Sequence, residues 1–161
     1  MAYELRAVIA AEAVLRPAAA EIEGARVARL AQGLALLPVT DEVLGAVTDG
    51  GDARRLGFRS LTEGWEGGLA RWSVAGPVAY VEVEYFGGAG EERAAVWAGG
   101  ALTAGPFDTS ARRGFRREVS PVSAALRRLG VRAERGQDAF EAVGLERHRF
   151  TEDWAAEGAR S

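Results

Sequence analysis

The chain has 161 residues, a formal net charge of −3 and no cysteine, so disulfides, thiolate zinc sites and cysteine nucleophiles are excluded. All 20 basic residues are arginine, which also removes a Schiff-base lysine and the lysine of a phosphate-binding loop. The length suits one globular domain, expected over 1–154 with a frayed tail at 155–161; no apolar run approaches the ~20 residues of a membrane span, and no signal-like N-terminus is seen, so a cytoplasmic location without membrane contact is expected.

In chain order, Glu4 to Ala11 starts as alternation and becomes an apolar run, predicting a buried strand. Ala11 to Leu15 can open a short helix that Pro17 should interrupt or restart. Arg26 to Leu30 and Gly33 to Val39 predict two further strands. Thr40 then caps a short helix whose first turn holds Asp41 and Glu42, where the helix dipole favours acids. Ser60 and Glu63 have capping-box spacing, and Leu61, Trp65, Leu69 and Trp72 fall on one helical stripe, weakened by Gly64, Gly67 and Gly68 at about 1 kcal/mol each relative to Ala.

Tyr80 to Trp97 (YVEVEYFGGAGEERAAVW) predicts a central β-hairpin, about 80–98, turning at Gly88-Ala89. That register pairs Phe86 with Glu91, Glu84 with Arg93, Glu82 with Ala95 and Tyr80 with Trp97. One face then carries Tyr80, Glu82, Glu84, Arg93 and Trp97; the other carries Val81, Val83, Tyr85, Ala94 and Val96 and is the expected core face. Leu102 to Phe115 reads as a long loop. Ser120 as N-cap, Pro121 at the first helical position, the Val122/Ala125/Leu126/Leu129 stripe and Gly130 define the best-specified helix. Thr151 to Trp154 suggests one terminal turn. Mixed helices and an antiparallel hairpin indicate an α+β fold, a mostly antiparallel sheet with several short helices packed on one face.

The hairpin face is the chemically richest surface. Glu82 and Glu84 stand about 7 Å apart on a strand, and at an effective dielectric near 20 their charges repel by roughly 2.4 kcal/mol, so a compensating partner is required. The pair reads either as a carboxylate site for a cation, an amine or a general base, walled by Tyr80 and Trp97, or as a solvated face with a Glu84–Arg93 ion pair. The binding candidates are therefore Tyr80, Glu82, Glu84, Arg93 and Trp97. Arg112, Arg113, Arg116 and Arg117 around Phe115 form a second candidate, either a grip for phosphates with Phe115 stacking on a base or, as favoured by the acidic body, a basic loop paired with that body, so a nucleic-acid partner is not expected. His148, the one histidine, is the natural base of any enzyme reading, together with Glu82 and Glu84. No nucleophile elbow, dinucleotide fingerprint or metal-ligand spacing appears, so no cofactor or metal is expected.

YELRAVIA, LLPVTDE, the hairpin YVEVEYFGG with AAVW, ALRRLGV and DAFEAVGLERHRFTEDW occur in order along the chain. Together they resemble a group of small uncharacterised bacterial proteins from GC-rich genomes. In that group a Gln often follows the hairpin glycines, where this chain has Glu91-Glu92-Arg93. The group has no established activity, so the resemblance implies no catalytic residues. A looser similarity of style is to toxin-immunity proteins, small acidic domains that bind a protein partner. The sequence thus favours a non-enzymatic protein- or ligand-binding module of immunity or accessory type. The alternative is a small hydrolase- or lyase-like enzyme with Glu82 or Glu84 as base, assisted by His148 or Arg93.

Overall fold

The apolar run after Glu4 forms β1 (Ala2–Ala11), a central strand of a six-stranded sheet in a computed structural model that describes residues 2–47, 55–87, 89–109 and 120–160. The other strands are β2 (Ala28–Arg29), β3 (Leu34–Pro38), β4 (Val78–Phe86), β5 (Ala89–Ala98) and β6 (Ala101–Asp108). Their spatial order is β2-β3-β1-β4-β5-β6, and every pairing is antiparallel. The helices are α1 (Glu12–Ala20), α2 (Asp41–Val47), α3 (Glu63–Trp72), α4 (Pro121–Arg128), α5 (Ala139–Val143) and α6 (Thr151–Arg160). The α+β class, the antiparallel sheet and the hairpin are as expected.

The helices, however, cover both faces of the sheet. Leu5, Ala7 and Ile9 enter one core with Val122, Leu126, Phe140, Val143 and Trp154. Val8 and Ala10 enter the other with Leu15, Val43, Trp65, Leu69 and Trp72. The reason is local: Ala7–Ala10, Leu34–Pro38, Val78–Val81 and Ala94–Trp97 are unbroken buried runs, and a strand without alternation has no face to give to water. Trp65, Leu69 and Trp72 of α3, with Leu61 just ahead of its cap, supply one cover, and all four side chains are buried.

Other elements depart from expectation in instructive ways. α1 continues through Pro17, forgoing one backbone hydrogen bond. The cap of α3 is Thr62, whose side chain accepts from the Trp65 N–H; Ser60 is used elsewhere. Of the segment read as a loop, Leu102 to Phe115, the part up to Asp108 belongs to β6, an edge strand whose Gly105-Pro106 is absorbed by a register shift opposite Ala94–Val96, the setting in which an edge tolerates proline; residues 110–115 lie outside the described residues. α6 extends to Arg160 instead of fraying after one turn, because Trp154 is wholly buried beneath it and Gly158 packs against Arg26 and Val27. α4 is as predicted, with the Ser120 side chain accepting from the Ser123 N–H. No described helix is long and apolar enough to cross a membrane.

Candidate functional site

The hairpin closes with Phe86 opposite Ala89, so the ladder pairs Tyr80 with Ala95, Glu82 with Arg93 and Glu84 with Glu91. This is two residues from the expected register. Gly87, at φ +57, opens the turn, and Gly90 is needed inside the ladder, where a Cβ would collide with the Glu84 carbonyl and the Tyr85 ring. A slip of two preserves every side chain's face. Tyr80, Glu82, Glu84, Arg93 and Trp97 therefore do share a face, but they do not share an environment.

Tyr80 and Trp97 are each 1% exposed and belong to the core beneath α3. Tyr80 meets Phe58 edge-on at 5.0 Å. The aromatic wall of the sequence reading is thus core packing, because α3 covers this half of the hairpin. Glu82 is 8% exposed and has a donor on each of its oxygens. It accepts the Arg59 N–H at 2.6 Å, the Ser60 N–H at 2.9 Å and the Tyr80 hydroxyl at 2.7 Å. Burial and the adjacent Glu82 charge raise the Tyr80 phenol well above its ordinary range, so it stays a donor.

β1 extends the pattern across three strands. Glu4 faces Glu84, which faces Glu91; one step inward, Arg6 faces Glu82, which faces Arg93. Side chains directly opposite lie about 4.5–5.5 Å apart, and like charges there are destabilising. The inner row alternates in sign. Arg6 donates Nε to the Val39 carbonyl at 2.6 Å, Nη1 to Ser60 Oγ at 3.0 Å and Nη2 to Asp41 at 2.9 Å. The outer row is three carboxylates, and Arg59 answers it from the covering segment. Its Nη1 is 2.8 Å from Glu84 Oε2 and its Nη2 3.4 Å from Glu91 Oε2, which also takes Arg93 Nη1 at 3.0 Å. The expected Glu84–Arg93 pair is therefore replaced by Glu84–Arg59 and Glu91–Arg93.

Between these rows lies a cleft of about 140 Å³, lined by Glu4, Arg6, Arg59, Glu82, Glu84, Glu91 and Arg93. Phe86, on the same face at the hairpin tip, is 55% exposed. A wider cleft of about 400 Å³ adjoins Asp41, Glu42, Glu152 and Arg26, but these four are all exposed and no buried charged group forms its floor. Arg59 and Phe86 are the residues the sequence reading missed. Arg59 sits in an unpatterned stretch (GFRS), and its only signal was the uncompensated repulsion of Glu82 and Glu84.

His148 lies on the far side of the sheet from Glu82. Its ring meets Trp154 edge-on at 4.7 Å, and Trp154 belongs to the opposite core. The Glu82–His148 acid–base pair is therefore not assembled. His148 Nε2 is instead 2.9 Å from Glu157 Oε1, and Arg147 Nη2 is 2.7 Å from Glu157 Oε2. Desolvation pushes the Glu157 carboxyl up, but the hydrogen bonds from His148 and Arg147 outweigh it and hold the group below the ordinary carboxylate range. A depressed folded-state pKa contributes stability above the unfolded pKa, which is lost as pH falls through the folded value. Urea unfolding across acidic pH should therefore show the stability gap between wild type and Glu157→Gln closing as pH drops below the usual carboxylate range.

On that same side Glu92, 3% exposed, mirrors Glu82. It accepts from the Tyr85 hydroxyl and from the Val122 N–H at the start of α4. Asp138 caps α5, accepting the Glu141 N–H at 2.7 Å. Arg112, Arg113, Arg116 and Arg117 lie outside the described residues. Among the described residues no group of three or more acidic or histidine side chains is arranged to hold a metal ion. No protein-family model matches the chain, and neither a curated protein nor a solved structure is similar to it.

Proposed function

We propose that this protein is a non-enzymatic binding module of immunity or accessory type, acting in the cytosol, with the Arg59/Glu84/Glu91/Phe86 end of the hairpin as its contact surface. The observation that carries this reading is a charged cleft with a buried floor, hydrogen-bonded on both carboxylate oxygens, beside an exposed aromatic ring. Glu82 has its oxygens occupied by three donors, which leaves it unsuited to take a proton from a substrate. A cavity of about 140 Å³ is well below the roughly 300–1,000 Å³ of small-molecule sites, and its size suits one inserted side chain of a protein partner. Arg and aromatic residues are the usual energetic anchors of protein interfaces. Arg59, with a side chain 60% exposed, and Phe86 supply one of each.

The test is a photo-crosslinking amino acid at position 86, expressed in the native host. It should give one discrete adduct with a protein, and that adduct should disappear when Arg59→Glu is added to the same chain. The same probe at Val74, 73% exposed and remote from the cleft, should give none.

A further inference from the structure

The covering segment that carries Arg59 is held to the sheet in an unusual way. It approaches through Leu56 at φ +57 and Gly57 at φ +84, a left-handed pair that turns the chain sharply onto the sheet. Phe58 and Leu61 then bury completely, so the segment's two ends are fixed by packing. Between them Arg59 and Ser60 each have their backbone N–H bound to a single side chain, Glu82, one to each carboxylate oxygen. The same carboxylate is oriented from below by the Tyr80 hydroxyl.

Resting on the reading of the cleft as a contact surface, we infer that Glu82 and Tyr80 are positioning residues for Arg59. A partner would touch the Arg59 guanidinium, and a carboxylate that the partner never reaches would set where that guanidinium stands. The geometry accounts for the chemistry of each member. Only an ionised carboxylate can accept two backbone N–H groups and a phenol at once, since glutamine at 82 would turn an amide N–H₂ toward one of those donors. The Tyr80 ring is buried, and its hydroxyl meets Glu82 from within the core. With both N–H groups pinned, the Arg59 side chain leaves the backbone from a fixed origin and spans Glu84 and Glu91.

Amide hydrogen exchange on the whole chain tests this directly, with Glu92→Gln as control. Glu92 is a buried carboxylate of the same hairpin on the opposite face, so its substitution reports the general consequence of losing such a group. Glu82→Gln should speed exchange at least about tenfold at whichever of the Arg59 and Ser60 amides meets the new N–H₂, because a hydrogen bond to a charged acceptor is lost, and by a smaller factor at the other, while β1 and β3 amides stay protected. Tyr80→Phe should produce a smaller rise at the same two amides, and Glu92→Gln none there. Labelling with p-hydroxyphenylglyoxal should show the Arg59 guanidinium more reactive in Glu82→Gln than in wild type, with Arg71 as the internal reference. Unchanged exchange at Arg59 and Ser60 in Glu82→Gln, or an equal rise in Glu92→Gln, overturns the inference and leaves the contact-surface reading standing. The expected exchange pattern beside an unaltered crosslink in Arg59→Glu would sink that reading instead, and leave Glu82 positioning an arginine that no partner uses.

Discussion

Glu82→Ala is expected to destabilise the protein by about 3–5 kcal/mol, the range for removing one partner from a buried charged cluster. Three donors lose their acceptor together: the Arg59 and Ser60 N–H groups and the Tyr80 hydroxyl. In addition the inner row would place Arg6 and Arg93 on either side of a methyl group. Urea unfolding followed by fluorescence measures the loss. The informative contrast is Glu84→Ala, two residues away on the same strand and face. That side chain is 38% exposed and pairs with an arginine 60% exposed, so its removal should cost no more than about 1 kcal/mol. Two glutamates that each follow a valine on one strand face are thus predicted to differ several-fold, because Glu82 is buried among three donors while Glu84 pairs at the surface.

The second large effect belongs to the opposite core. Trp154→Ala should cost about 3–5 kcal/mol, lowering the melting temperature by roughly 6–20 °C for a chain of this size. Trp154 is 0% exposed, carries the Arg147 guanidinium 4.8 Å above its ring and takes the His148 edge at 4.7 Å. Its indole N–H makes no hydrogen bond to any described residue. Trp154→Phe should therefore cost much less than Trp154→Ala, since it keeps most of the ring and removes an unpaired donor. Differential scanning calorimetry of the two variants separates volume from polarity at this position.

How far the sequence reveals this molecule depends on the range of the interaction concerned. Features set within a few residues are legible: the Ser120-Pro121 helix start, the Trp65/Leu69/Trp72 stripe, and the sharing of one hairpin face by Tyr80, Glu82, Glu84 and Arg93. Those follow from helical and strand periods and from capping chemistry. The exposure of that face is not legible from alternation alone, because alternation says which residues face together and not what lies above them. A signal was present nonetheless. Val78-Ala79-Tyr80-Val81 and Ala94-Ala95-Val96-Trp97 are unbroken apolar runs, which mark strands covered on both sides. The charged alternation begins at Glu82, but only Glu84 to Phe86, at the far end of β4, reach solvent.

Contacts between distant segments are the least visible in sequence. Arg59 meets Glu84 across 25 residues, and Thr151 reaches Glu4 across 147. Nothing in the local pattern of either segment names its partner. The one inference available was electrostatic: two carboxylates at ~7 Å need a cation. That argument called correctly for an arginine and selected Arg93, the nearest in the assumed register. The structure uses Arg59 for Glu84 and gives Arg93 to Glu91. Register was misassigned for a related reason, since the demand for glycine at position 90 arises from the Tyr85 ring lying across it.

The open end of the hairpin is proposed as the place where this protein meets another. Crosslinking from position 86 in the host, compared with crosslinking from position 74, is the most direct measurement of it. A single protein adduct is expected from position 86, abolished by Arg59→Glu, and none from position 74. Adducts of equal yield from both positions, or one from position 86 that persists with glutamate at 59, would contradict it.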